Sequence, residues 1–224
     1  MPRLFGVLTV VAALSAALPA RAGGDYRLLD IDGHAVKWGA PELGRGAVVT
    51  WRLAFAHGTA PGRENCRRTT GLDGLLMRAG LKREDALRAA DAAFALWSKA
   101  ADIRFVPAGT TGVADITIVA EADDDGIAYT DVTPSAESGH TVSLSRAVVC
   151  LNPQAKWITA PTGTYRLAYV LAHEIGHAIG LDHPGPTGAL MSFEYDSKRD
   201  ELAPGDIAGA ALLYGAAERI ISTR

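Results

Sequence analysis

Cysteine is scarce in this chain: Cys66 and Cys150 are the only two in 224 residues. That excludes a disulfide-dense scaffold and any all-cysteine metal cluster. Basic runs are missing as well. The 22 Lys and Arg are scattered among 25 Asp and Glu, for a formal charge of −3, which argues against a nucleic-acid partner. Beyond residue 18 no apolar run is long enough to cross a bilayer. No internal repeat and no low-complexity tract is present, so solenoid and disordered classes fall away. What remains is a chain that is 48% hydrophobic and long enough for one domain with its own core.

The single apolar run covers residues 4–18. Arg3 precedes it, and Ala20-Arg21-Ala22 offers a small-x-small cleavage site. Residues 1–22 therefore read as a secretory signal rather than a membrane anchor, for which the run is short. The mature chain is expected to be exported, to the periplasm or the medium, free of membrane contact and monomeric. In such a compartment Cys66 and Cys150 most simply pair. Closing so long a loop would stabilise by roughly 4–5 kcal/mol in the chain-entropy model. The alternative is a thiol that caps a metal in a latent state.

Gly-rich, polar residues 23–46 read as an extended N-terminal segment, with the option of a short pro-segment. The main domain is expected over 47–215, followed by a tail over 216–224. Within it, alternation and β-branched residues predict strands at 47–55, 103–106, 114–120, 127–132 and 147–151. A polar loop separates the last two, and an acidic turn fills 121–126. Helices are predicted near 72–79 and over 83–100, where Ala86, Leu87, Ala90, Phe94 and Trp97 form one apolar face. Two more are expected at 165–179, capped by Thr162 or Thr164, and at 202–214. This order predicts an α+β fold.

The richest stretch is His-Glu-Ile-Gly-His-Ala-Ile-Gly-Leu-Asp-His, residues 173–183. His173 and His177, four apart on a helix, share a face and can reach one metal ion. Glu174 stands beside them, free to act on a water. Gly180 suits a left-handed exit from the helix that brings His183 back as a third ligand. Three imidazoles and an open position describe a catalytic zinc site. Chance on an ordinary amphipathic helix explains a bare HExxH, but not the added Gly180 and His183 at HExxHxxGxxH spacing. A gluzincin-type site, with Glu194 or Glu201 as third ligand, is made unnecessary by His183. Met191 follows eight residues after His183, where the longer motif expects a Met-turn.

On these residues the chain resembles the metzincin metalloproteases, and among them most a bacterial matrixin. Tyr195, the Ala93–Ser98 stretch of the first long helix, Ala114-Asp115-Ile116 and Asp206 through Leu213-Tyr214-Gly215 extend the likeness from about residue 48 to 215. The resemblance implies a zincin-like fold: a twisted, mainly parallel sheet, an active-site helix below it, the Met-turn and a C-terminal helix. It implies one catalytic zinc on His173, His177 and His183, Glu174 as general base, Met191 as a hydrophobic floor, and a polypeptide substrate laid along strand 127–132. Leu171, Phe193 and Tyr195 are the expected pocket wall, for an aliphatic or aromatic residue after the cut. An exported zinc-binding protein without turnover is the alternative from another class.

The departures are also specific. Pro184 is serralysin-like, yet the serralysin calcium repeats are missing. Calcium binding at Glu121 and Asp123–Asp125 is an option, set against a merely solvated loop. His34, His57 and His140 match no second zinc site. Asp25, Asp30 and Asp32 are candidate zinc caps or plain surface carboxylates. A family switch cysteine precedes the catalytic domain, whereas Cys66 lies inside it, which favours the disulfide.

Overall fold

The computed structural model describes residues 25–56, 65–109, 113–121, 126–135, 139–160, 165–196 and 198–217. The proposed signal over 1–22 therefore lies outside it. The described strands are β1 Arg27–Leu28, β2 Asp30–Ile31, β3 His34–Lys37, β4 Ala47–Leu53, β5 Thr69–Thr70, β6 Ile103–Pro107, β7 Ile116–Glu121, β8 Ala128–Pro134, β9 Thr141–Leu151, β10 Trp157–Ile158, β11 Tyr165–Arg166 and β12 Leu181–Asp182. The helices are α1 Asp73–Ala79, α2 Arg83–Ala100, α3 Leu167–Ala178 and α4 Pro204–Tyr214.

The main sheet runs β2-β3-β9-β7-β4-β6. Its β3–β9, β9–β7, β7–β4 and β4–β6 pairings are parallel. Antiparallel β8 pairs with β9, and β5 with β7. The fold is thus the α+β, mainly parallel arrangement that the sequence implied. No helix among the described residues is long and apolar enough to cross a membrane.

Alternation sorts the side chains of the central strands onto two buried faces. Ala147, Val149 and Leu151 of β9 join the main core, while Val148 and Cys150 join a second cluster with Ala54, Cys66 and Val119. The main core lies between the sheet and the helices. There Phe94 of α2 stacks on Trp51 at 4.6 Å, and Trp97 donates its indole N–H to Ala172 O of α3 at 2.8 Å. On the opposite face, a Cys66–Cys150 disulfide ties the segment before β5 to the C-terminal end of β9. With both sulfurs in that bond, neither cysteine is a thiol cap for a metal.

Three expectations change. The loop expected between the last two strands is, over 141–146, the first half of β9, with Val142 and Leu144 buried. Its parallel partner is β3, so pairing with the N-terminal segment makes a strand of residues too polar to announce one. That segment, expected only to be extended, contributes β1 to β3 and buries Val36 and Trp38. Finally, α3 starts at Leu167 with Arg166 at its N-cap and no side-chain cap. Thr162 and Thr164 lie outside the described residues, and Tyr165–Arg166 pairs with β10 instead.

Candidate active site

Helix α3 presents His173 and His177 on one face, toward a cleft bounded by β8. The helix ends at Ile179, and Gly180 leaves it with φ +101°. That conformation suits glycine and few other residues. A Cβ on Gly180 would also stand 2.0 Å from the Val36 carbonyl oxygen, so β3 can approach only because no side chain is there. Strand β12 then returns the chain and sets His183 beside the other two.

The three Nε2 atoms form a triangle with sides of 3.1, 3.2 and 3.2 Å. His173 Nδ1 lies 2.8 Å from Leu190 O, and His177 Nδ1 lies 2.8 Å from Leu181 O. A carbonyl oxygen only accepts, so each of these Nδ1 atoms carries the proton and each Nε2 is a bare lone pair. Lone pairs converging at that distance repel one another unless a cation stands among them. Nitrogens about 2.0–2.1 Å from a tetrahedral zinc would be about 3.3–3.4 Å apart, close to what is seen. The donor set fits zinc, with one position left toward the cleft. Burial, reinforced by the other two imidazoles, lowers the His177 pKa to about 3. Burial lowers His173 and His183 too. Neutral imidazole is the form that binds metal.

Glu174 is buried at the foot of the cleft, and burial pushes its carboxyl up to about 7 against the opposing pull of a Thr130 hydrogen bond. Thr130 Oγ1 donates to Glu174 Oε2 at 2.6 Å. Beneath the helix, Met191 packs against Gly176, where an added Cβ would stand 2.2 Å from the Met191 sulfur. The turn that holds Met191 is fixed from α4: Asp206 accepts the N–H groups of Leu190 at 2.8 Å, Met191 at 3.1 Å and Ala203 at 2.7 Å. Leu190 in turn accepts the His173 proton, so Asp206 braces His173 through one peptide segment.

The sequence model of the family described as Matrixin matches residues 75–215, more than half of the chain. The chain belongs to the matrixin family. It is similar to interstitial collagenase of Sus scrofa, 32% identical over 142 residues, which cover 62% of this chain and 30% of that one. It is also similar to matrix metalloproteinase-20 of Homo sapiens, 33% identical over 134 residues, 57% of this chain and 27% of that one. The chain spans less than a third of the length of these relatives in the match. Both are mammalian, so the bacterial likeness rests only on the sequence features that suggested it.

The cleft of this matrixin has a volume of about 550 Å³ and brings together Glu174, the three histidines, residues 126–130 at the start of β8, Tyr169, Val170, Phe193 and Tyr195. Phe193 is 75% exposed and stands edge-on to the His183 ring at 5.3 Å. Tyr195 lies edge-on to Tyr169 at 4.8 Å and accepts the Arg166 N–H at 2.9 Å. Leu171 is a correction. It is 1% exposed, belongs to the main core and does not line the cleft. Two residues from His173 is more than half a helical turn, which turns it away from the ligand face.

Glu194 and Glu201 are exposed and stand apart from the three-histidine cluster. Asp25, Asp30 and Asp32 do not line the cleft, and Asp30 accepts the Gly33 N–H instead. His34 and His140 join no metal-competent group among the described residues. His57 and Asp123–Asp125 lie outside those residues. Glu121 is buried and accepts the Arg68 N–H at 3.2 Å. The sequence reading missed Thr130, Asp206, Tyr169 and Val170. Tyr169 and Val170 alone carried a local signal, standing four and three residues before His173 on the same helical face.

Proposed function

We propose that this chain is an exported zinc-dependent endopeptidase in which Glu174 is the general base. One observation carries the reading: three Nε2 lone pairs converge within 3.2 Å beside a buried carboxylate at the foot of an open cleft. A zinc ion there would supply Lewis acidity, polarising the scissile carbonyl and bringing the pKa of a neighbouring water near 7. Glu174 removes a proton from the attacking water and passes it to the leaving amine, which departs neutral. Burial favours this exchange, because a carboxyl held near neutrality both takes and returns a proton readily. The substrate chain is laid along β8, which pairs only with β9 among the described residues and so keeps one edge for a further antiparallel strand. Tyr169, Val170 and Tyr195 form the wall of a pocket suited to an apolar side chain after the cut. The Cys66–Cys150 disulfide supports export, since such bonds persist in oxidising compartments.

The purified protein should hold one zinc and cleave unfolded casein, and chelation should stop cleavage. Glu174→Ala should retain zinc and lose turnover by roughly 100-fold or more, because the residue is a base and not a ligand. Zinc binding with no cleavage by the native chain would establish the non-catalytic alternative. Full activity in Glu174→Ala would overturn the mechanism.

A further inference from the structure

Thr130 sits in β8 between Tyr129 and Asp131, whose side chains face the disulfide side of the sheet. Tyr129 packs on the second cluster, and Asp131 accepts the Asn65 and Cys66 N–H groups. Alternation therefore turns Thr130 toward α3, together with Ala128 and Val132, which pack on the main core. On that apolar side a hydroxyl needs a reason. Its oxygen lies 2.6 Å from Glu174 Oε2 and 3.0 Å from the Glu174 backbone oxygen. Among the described residues it is the one side chain bonded to that carboxylate.

We propose that Thr130 is a positioning residue that fixes the plane of the Glu174 carboxylate, engaging Oε2 from the edge strand and leaving Oε1 to face the cleft. A carboxylate has two equivalent oxygens and a broad terminal torsion, so an unrestrained Glu174 samples orientations in which neither oxygen meets the attacking water. A hydrogen bond to an ionised acceptor is among the stronger neutral-donor contacts, and this one is short. The hydroxyl has one hydrogen, and the shorter contact, to Oε2 rather than to the backbone oxygen at 3.0 Å, is the one it serves. Strand β8, which the substrate pairs with, thereby also sets the base. The proposal rests on Glu174 being the base of a peptidase, but its geometry is measurable without turnover.

The test uses Thr130→Val, which keeps shape and β propensity while removing the hydroxyl, with Thr130→Ser as the restoring variant and Thr130→Ala as a second deletion. All three should bind zinc with native stoichiometry. Thr130→Val and Thr130→Ala should lower kcat roughly 10-fold with KM unchanged, and Thr130→Ser should restore it. High-resolution crystal structures supply the readout independent of activity: Glu174 should lose its single carboxylate orientation in Thr130→Val and keep it in Thr130→Ser. A native Glu174 orientation in Thr130→Val overturns the proposal, as does an unchanged kcat. Should the native chain cleave no peptide, the peptidase reading fails, and the crystal structures still decide the role of Thr130.

Discussion

At the scale of single residues, the three-histidine cluster follows from local sequence because a helix fixes its own geometry. His173 and His177 must share a face wherever the helix packs, and Gly180 has no Cβ to obstruct the turn toward His183. Thr130 and Asp206 were not legible, since each acts on a partner 44 or 15–16 residues away that only tertiary folding brings close. Asp206 invites a direct measurement. Replacing it by Ala strands three backbone N–H groups in a buried place, at a cost of about 3–5 kcal/mol. It also loosens the carbonyl that sets the His173 tautomer. Chemical denaturation should show that loss, and zinc competition titration should show affinity weakened about 10-fold or more. Native zinc affinity in Asp206→Ala would mean that the brace is unimportant. Met191→Leu, by contrast, preserves volume beneath Gly176 and should cost less than about 1.5 kcal/mol.

At the scale of elements, α2 was legible from end to end because its apolar face repeats at helical spacing and Asp85 accepts the Lys82 N–H at its start. The first half of β9 was not, because Thr141, Ser143 and Ser145 hide the strand until β3 is there to pair with it. The junction between α3 and β12 is the most constrained of these places. Gly180→Ala meets both a positive φ and a backbone oxygen that has no room to yield. The expected outcome is a loss of about 2–4 kcal/mol, read from denaturant midpoints, together with weaker zinc retention as His183 is displaced. A Gly180→Ala protein with native stability and metal content would contradict the close approach of β3.

Acid response belongs to the whole molecule, because it sums groups from several elements. In the metal-free protein, burial holds His177 neutral down to about pH 3 and keeps His173 and His183 below their ordinary value. An unfolded chain protonates these imidazoles near pH 6.5, so the stability they contribute is present above that pH and lost as pH falls below it. Glu174 works in the opposite sense. Its carboxyl, raised to about 7, takes up a proton in the folded state first, which favours folding as pH falls from 7 toward 4.5. Three groups oppose one, so the Tm of the metal-free protein should drop between pH 7 and pH 4.5. Glu174→Gln should steepen that drop by removing the opposing group. A Tm that rises on acidification would contradict the balance.

The pairing of β1 with β12 has a practical side. Arg27 lies opposite Asp182 and bonds its carboxylate at 3.0 Å, and Tyr26 lies in a small hollow with Pro184 and Met191. Residues 27–28 therefore run alongside the segment that leads into His183, the third proposed metal ligand. A polyhistidine tag fused just ahead of Tyr26 begins within a few residues of three converging imidazoles and will compete with them for the ion. A tag placed after Ala217 begins near Ala216, which bridges to Ala101 at the end of α2. Either tag binds zinc by itself, so metal stoichiometry reports the site only after the tag is cleaved, and the second design leaves the uncleaved handle away from the β1–β12 pair.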